Sequence, residues 1–243
     1  MAVSTGDAAH YIGNELELFE HATRWKAYYG RFLKPHLRGR ILEVGAGIGG
    51  TTRSLCDGTQ ADWLCVEPDA VLAARIADLR ARQVLPACCR LHVGTISTLP
   101  FEEDVLFDAI LYIDVIEHIE DDAAELARAY ARLAFGGVLL IIVPAHQWLY
   151  SPFDNALGHF RRYSRARLRR ALPAGARVLH LHYLDSVGLL ASAANKLLLR
   201  QRYPTPAQIS FWDGTLVPIS QVADRLTGFA LGKSVLGVAQ KPL

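Results

Sequence analysis

The chain has 243 residues, 51% of them hydrophobic, which suits one α/β domain with insertions rather than two full domains. A net charge of +2 gives no global basic field of the kind that points to nucleic acid. Residues 1–10 lack a basic stretch leading into an apolar one, no apolar run reaches the length of a membrane span, and Cys56, Cys65, Cys88 and Cys89 form no C-x-x-C pair; the expectation is a cytoplasmic protein with buried thiols and no structural zinc.

In chain order, 14–37 reads as a leading helix carrying Phe19, Trp25, Tyr28, Tyr29 and Phe32. A buried strand over 40–44 then runs into Gly45-Ala46-Gly47-Ile48-Gly49-Gly50, with a helix over 50–56. Glycines there let the backbone turn sharply and approach a ligand with no Cβ in the way. A second strand, 62–66, ends at Glu67, where a carboxylate can accept hydrogen bonds from both hydroxyls of a ribose. A helix over 69–82 and strands over 90–93 and 108–113 follow. The next helix, 121–134, starts at an acidic cluster and stops before Gly136-Gly137. A strand over 137–143 precedes a loop rich in His, Trp, Tyr and Arg, and Ser164 caps a helix over 165–172.

Strands over 177–185 and 233–240 form a final antiparallel pair around an insertion, 186–232. This alternation predicts an α/β fold: a Rossmann-like, doubly wound, mostly parallel seven-stranded sheet with an antiparallel C-terminal strand pair and a helical insertion. Residues 1–243 read as a single domain, divided into an N-terminal helical cover (1–38), a cofactor-binding core (39–185), an acceptor or lid insertion (186–232) and the last strand (233–243).

Gly45, Gly47 and Gly50 satisfy the dinucleotide pattern G-x-G-x-x-G. Two features favour S-adenosylmethionine instead. Glu43 suits the cationic amino group of a methionine moiety and would repel a pyrophosphate, and no Tyr is followed four residues later by Lys. The segment 41–50 resembles motif I of the class I S-adenosylmethionine-dependent methyltransferases, and Val66-Glu67-Pro68-Asp69 resembles their second motif. The resemblance runs from about residue 25 to 172 and returns near the C-terminus. It implies a cofactor site built from Glu43, Gly45, Gly47, Gly49, Glu67, Pro68, Thr95, Ile96 and Asp114, with Thr95 standing where many relatives have an acid. A nicotinamide-dependent oxidoreductase and a non-catalytic cofactor-binding module remain as alternatives.

Asp114, Glu117 and His118 follow the fourth strand, on the side of the sheet that carries ligands. His118 reads as a general base for an acceptor hydroxyl, as a structural loop contact, or, with Asp114 and Glu117, as a divalent-cation ligand. Ubiquinone-pathway and small-RNA methyltransferases hold a metal with Glu-x-x-Glu-His at this place; Asp114 is one methylene shorter than the first Glu, and the expectation is no metal. His146 is a second candidate base. Trp148, His159, Arg161, Arg162 and Tyr163 are expected acceptor contacts, the arginines as forks for a phosphate or carboxylate, though part of this run also suits shaping the loop. Arg165, Arg167, Arg169 and Arg170 read as a solvated helix face or, beside the apolar insertion, as a peripheral membrane contact. The expected activity is methyl transfer from S-adenosylmethionine to a small or lipid- or sugar-linked acceptor at oxygen, with no nucleic-acid partner.

Overall fold

A computed structural model describes residues 15–100, 105–199 and 204–243. Two helices, α1 (Glu15–Glu20) and α2 (Thr23–Leu33), lead into β1 (Arg40–Val44) and α3 (Gly50–Leu55). Then come β2 (Asp62–Glu67), α4 (Ala70–Ala81), β3 (Cys89–Val93), β4 (Phe107–Ile113), α5 (Asp122–Ala131) and β5 (Leu133–Pro144). Short α6 (Pro152–Ala156) and α7 (Arg165–Ala171) precede β6 (Arg177–Leu184), and α8 (Ser186–Ala194), α9 (Pro206–Phe211) and α10 (Val217–Leu226) precede β7 (Ser234–Gln240).

The strands form one seven-stranded sheet in the order β3-β2-β1-β4-β5-β7-β6. β7 runs antiparallel to both neighbours, and the remaining pairs are parallel. This is the expected architecture. Alternation along each strand feeds two cores: Ile41, Trp63, Leu111 and Leu140 pack under one face, and Leu42, Leu64, Ile110 and Leu139 under the other. The chain leaves β1 for β2 on one side and reaches β4 on the other. Val44 pairs with both Val66 and Tyr112, so the loops after β1, β2 and β4 emerge together at this switch point.

Two expected boundaries move. The leading helix breaks at His21-Ala22, and the Lys26 ammonium, lodged beside the break, donates to the Phe19 and Glu20 carbonyls at the end of α1 (2.7 and 2.9 Å). Residue 14 and the earlier part of the expected cover lie outside the described residues. The helix expected to reach 134 ends at Ala131, because Leu133 already pairs with Phe107 in the sheet. Gly137 lets the two strands cross closely there; a Cβ would meet the carbonyl oxygens of Ala134, Phe107 and Asp108 at 2.9–3.1 Å.

Buried acids fasten the insertion to the sheet. Asp185, in a left-handed conformation (φ 67°), accepts from Trp212 Nε1 (2.7 Å) and Ser220 Oγ (2.6 Å). Asp224 accepts from the Tyr28 hydroxyl and from the backbone of Asp185 and Ser186. Asp213 accepts from the Arg24 and Trp25 amides at the start of α2. Among the described residues no helix is long and apolar enough to cross a membrane.

Candidate active site

The turn after β1 is shaped by Gly45 (φ 70°), Gly47 (φ 56°) and Gly49 (φ 81°), all in the left-handed region that disfavours a side chain. A Cβ on Gly45 would stand 2.6 Å from a Val115 methyl group, so this glycine also sets how closely the turns after β1 and β4 approach. Glu67 ties the turn down. One carboxylate oxygen accepts from the Gly47 amide (2.7 Å) and the other from Asp69 (2.9 Å). Burial pushes its carboxyl above the usual range, and these two amides work against that. Each oxygen keeps a second lone pair for a ligand hydroxyl.

Above the strand ends lies a cavity of about 1930 Å³. An ordinary small-molecule site occupies roughly 300–1,000 Å³, so there is room for a cofactor and a second molecule. Gly45, Gly47, Glu67, Pro68, Thr95 and Asp114 line its inner part. Leu149, Phe153, Leu157, Ile209, Trp212 and Leu216 supply apolar wall farther along the chain.

Three residues expected at the cofactor stand off the lining. Glu43 points beneath the turn, where its Oε2 accepts from Thr52 Oγ1 (2.7 Å) and Trp63 Nε1 (2.8 Å). Burial pushes its carboxyl up to about 7. Gly49 caps α3 against Ile76 and Leu79, and Ile96 is fully buried in the core while its carbonyl accepts from Arg132.

After β4, Asp114 adopts φ 53° and lines the cavity. Burial pushes its carboxyl up to about 6, opposed by His159, Lys233 and Arg162. Glu117 and His118 follow in a single 3₁₀ turn, and both reach the cavity. Glu117 is 0% exposed, and neither carboxylate oxygen has a hydrogen-bond partner. Burial and Asp114 push its carboxyl well above the usual range. Burial and the neighbouring His159 hold the His118 imidazole down to about 4, so its ring is neutral at pH 7. The two rings meet edge to face, 4.5 Å apart.

The loop after β5 divides its expected contacts. His159 and Arg162 reach the cavity. Both are held by Asp154, which is fully buried and accepts from His159 Nδ1 (3.0 Å), from Arg162 Nε (2.6 Å) and Nη2 (3.0 Å), and from the Ser151 backbone and hydroxyl. Burial alone would raise the Asp154 carboxyl, but these donors hold it well below the usual range. Arg161 and Tyr163 face away from the cavity and clamp the turn after β4. Arg161 donates to the Ile119 and Glu120 carbonyls and pairs with Asp122, and the Tyr163 hydroxyl donates to Asp122 (2.5 Å). His146 also stands off the lining: its ring stacks on Tyr183 (4.9 Å) and its Nε2 donates to the Gly232 carbonyl (2.9 Å). Trp148 is half exposed beside it.

Asp154 and Lys233 carry roles that spacing did not announce. Lys233 lines the cavity and lies 3.6 Å from the Asp185 carboxylate and 3.7 Å from the centre of the Trp212 ring. The Ser-x-x-Asp spacing of Ser151 and Asp154, followed by the His-x-x-Arg run 159–162, was the available signal for Asp154.

Comparison with known proteins fits this geometry. A family model described as a methyltransferase domain matches residues 18–184. Tocopherol O-methyltransferase of Arabidopsis thaliana chloroplasts is 31% identical over 108 residues, 44% of this chain and 31% of that protein. Ajmaline N-methyltransferase of Rauvolfia serpentina is 30% identical over 119 residues, 48% of this chain and 40% of that protein. The chain thus matches less than half the length of either relative. Phosphoethanolamine N-methyltransferase 2 of Haemonchus contortus, solved with S-adenosylmethionine, superposes with a TM-score of 0.60 at 19% identity, over 92% of this chain and 57% of that one. With a glycine turn, a carboxylate at the end of β2 and a family match over most of its length, the chain belongs to the class I S-adenosylmethionine-dependent methyltransferases, and S-adenosylmethionine is its cofactor.

Proposed function

We propose that this methyltransferase transfers its methyl group to a hydroxyl of a small amphiphilic acceptor. The observation that carries the reading is the cavity: its volume exceeds one ligand, and its apolar wall faces the polar cluster of Asp114, Glu117, His118 and His159. Bound S-adenosylmethionine supplies an already electrophilic methyl group. The protein's tasks are to align the acceptor and to remove its proton. Gly45, Gly47, Glu67, Pro68 and Thr95 hold the cofactor, with Asp114 near the reacting end. His118 meets the acceptor hydroxyl, because a neutral imidazole can take a proton or bind a cation there. Residues 186–199 and 204–232 cover the acceptor side as a lid, and His146, Arg161 and Tyr163 position the loops that frame it.

Both arginines after β5 are engaged within the protein, so the reading rests on apolar shape rather than on a phosphate fork. Leu190, Leu197 and Phe211 of the insertion, with Trp148, are exposed. Through them the protein rests on a membrane surface from which a lipid-linked acceptor enters. Four free cysteines, three of them buried, suit a reducing compartment such as the cytoplasm.

The test is turnover with methyl-labelled S-adenosylmethionine on matched pairs of amphiphiles carrying a hydroxyl or an amine. Label on oxygen in the hydroxyl series supports the reading. Label on nitrogen alone, or no turnover with either series, overturns it.

A further inference from the structure

At the end of the sheet opposite the cavity, the fold gathers three thiols. Cys56 caps the C-terminus of α3 and is buried. Cys89 is the first residue of β3, and Cys88 stands in the turn before it, closed by the Cys89 amide donating to the Pro86 carbonyl (3.0 Å). Because Cys88 precedes the strand, the alternation that sends adjacent side chains to opposite faces does not bind it. Cys56 Sγ lies 3.6 Å from Cys88 Sγ and 3.5 Å from Cys89 Sγ, and all three sulfurs are within 4.8 Å of one another. A tetrahedral cation with bonds of about 2.3 Å to sulfur sets its ligands about 3.8 Å apart, close to the two shorter separations.

Two neighbours complete the cluster. Gln60 is buried, and its Nε2 donates to the Leu37 carbonyl (3.2 Å), which turns Oε1 toward the thiols, 3.4 Å from Cys56 Sγ. Arg80 donates its Nε hydrogen to the Cys89 carbonyl (2.7 Å) and brings a positive charge beside the sulfurs. Three thiolates around a divalent ion leave one net negative charge, which this guanidinium offsets.

We propose that Cys56, Cys88 and Cys89 bind one thiophilic divalent cation of the zinc type, with Gln60 Oε1 in the fourth position. Sulfur donors select such an ion over magnesium or calcium, which prefer oxygen. Spacing argues against zinc, since no C-x-x-C pair is present; Cys56 instead meets Cys88 across 32 residues of sequence. The cation ties the end of α3 to the start of β3. The site does not rest on the methyl-transfer reading. Cys89 pairs with Trp63, whereas Glu67 at the cavity pairs with Val93, about 13 Å farther along the sheet.

The test uses the full chain, stripped with a chelator, kept in a non-thiol reductant without oxygen, and titrated with Co²⁺ and then with competing Zn²⁺. The expected result is one equivalent of Co²⁺ with a sulfur-to-metal charge-transfer band that Zn²⁺ removes. Co²⁺ held by imidazole or carboxylate elsewhere gives no such band. Cys56→Ser and Cys89→Ser should each abolish it, and Gln60→Ala should weaken binding about 10-fold or more. Cys65 meets Thr52 Oγ1 (3.5 Å) and lies outside the group, so Cys65→Ala should keep the band. Zn²⁺ should raise the Tm of the wild type and leave that of Cys56→Ser unmoved.

Absence of the band in the reduced wild type, or a band undiminished in Cys56→Ser and Cys89→Ser, overturns the site. Unchanged affinity in Gln60→Ala overturns the fourth ligand. A cooperative thermal melt certifies the fold of each variant. Where one fails it, the wild type decides: Zn²⁺ should slow the reaction of Cys88, the most accessible of the three, with an aromatic disulfide reagent about 10-fold or more, and an unchanged rate overturns the site.

Discussion

At the scale of single residues, glycine and acid positions were legible where a backbone requirement fixes them. Gly45 needs a positive φ and a bare Cα against Val115, and Glu67 must end β2 to reach the Gly47 amide. The direction of Glu43 was not read, although strand alternation contains it. Glu43 pairs with Cys65 on the face that packs under α3, away from the cavity. Its buried carboxyl has a measurable consequence. Below pH 4.5, its ordinary value, the acid is protonated whether the chain is folded or not. Between 4.5 and about 7 the unfolded chain ionises while the folded one holds its proton, so this group lowers stability as pH rises, and the loss is complete above about 7. The effect is on the order of 3 kcal/mol. Denaturant melts at pH 5 and pH 8 should show Glu43→Gln flattening the decline seen in the wild type; parallel declines would remove Glu43 as its source. His118→Gln should cut turnover about a hundredfold or more while S-adenosylhomocysteine affinity holds, read by steady-state kinetics and calorimetry.

At the scale of elements, periodicity located the strands and long helices, and tertiary pairing moved their ends. Leu133 looks like the last turn of a helix until Phe107 is placed beside it. The loop after β5 read as acceptor contacts or, in part, as a run that shapes the loop, and Arg161 and Tyr163 bond the carbonyls and Asp122 of the turn that carries His118. No local pattern says which neighbour a long side chain will find. The insertion was legible as helical and apolar, but its attachment through Asp185, Asp213 and Asp224 was not, since those acids act across 27 to 196 residues of sequence. Asp224→Ala strands the Tyr28 hydroxyl and the amides of Asp185 and Ser186. It should cost about 3–5 kcal/mol in a chemical melt. A loss below about 1 kcal/mol would show that α8–α10 are held by apolar packing instead.

At the scale of the whole molecule, the alternation of strands and helices sufficed for the parallel part of the sheet, because a right-handed crossover between parallel strands leaves few ways to order them, whereas the antiparallel β7 was expected from the family resemblance. The switch point between β1 and β4 then places the ligand-bearing turns together, and α1, α2 and the insertion close the space above them into one cavity. What fills its outer part was not legible, since an apolar wall selects by shape. Exposed Leu190, Leu197 and Phe211 should give measurable co-sedimentation with anionic vesicles, and replacing all three with Ser should abolish it.

The central claim is that the glycine turn and Glu67 form the cofactor site of this cavity. It is tested most directly by calorimetric titration of the wild type and of Gly45→Ala with S-adenosylhomocysteine, with NADH as the competing ligand. The account predicts micromolar binding of S-adenosylhomocysteine, no NADH binding, and about 10- to 100-fold weaker binding by Gly45→Ala, whose methyl group meets Val115 in a strained backbone. Binding of NADH instead, or an undiminished affinity in Gly45→Ala, would contradict it.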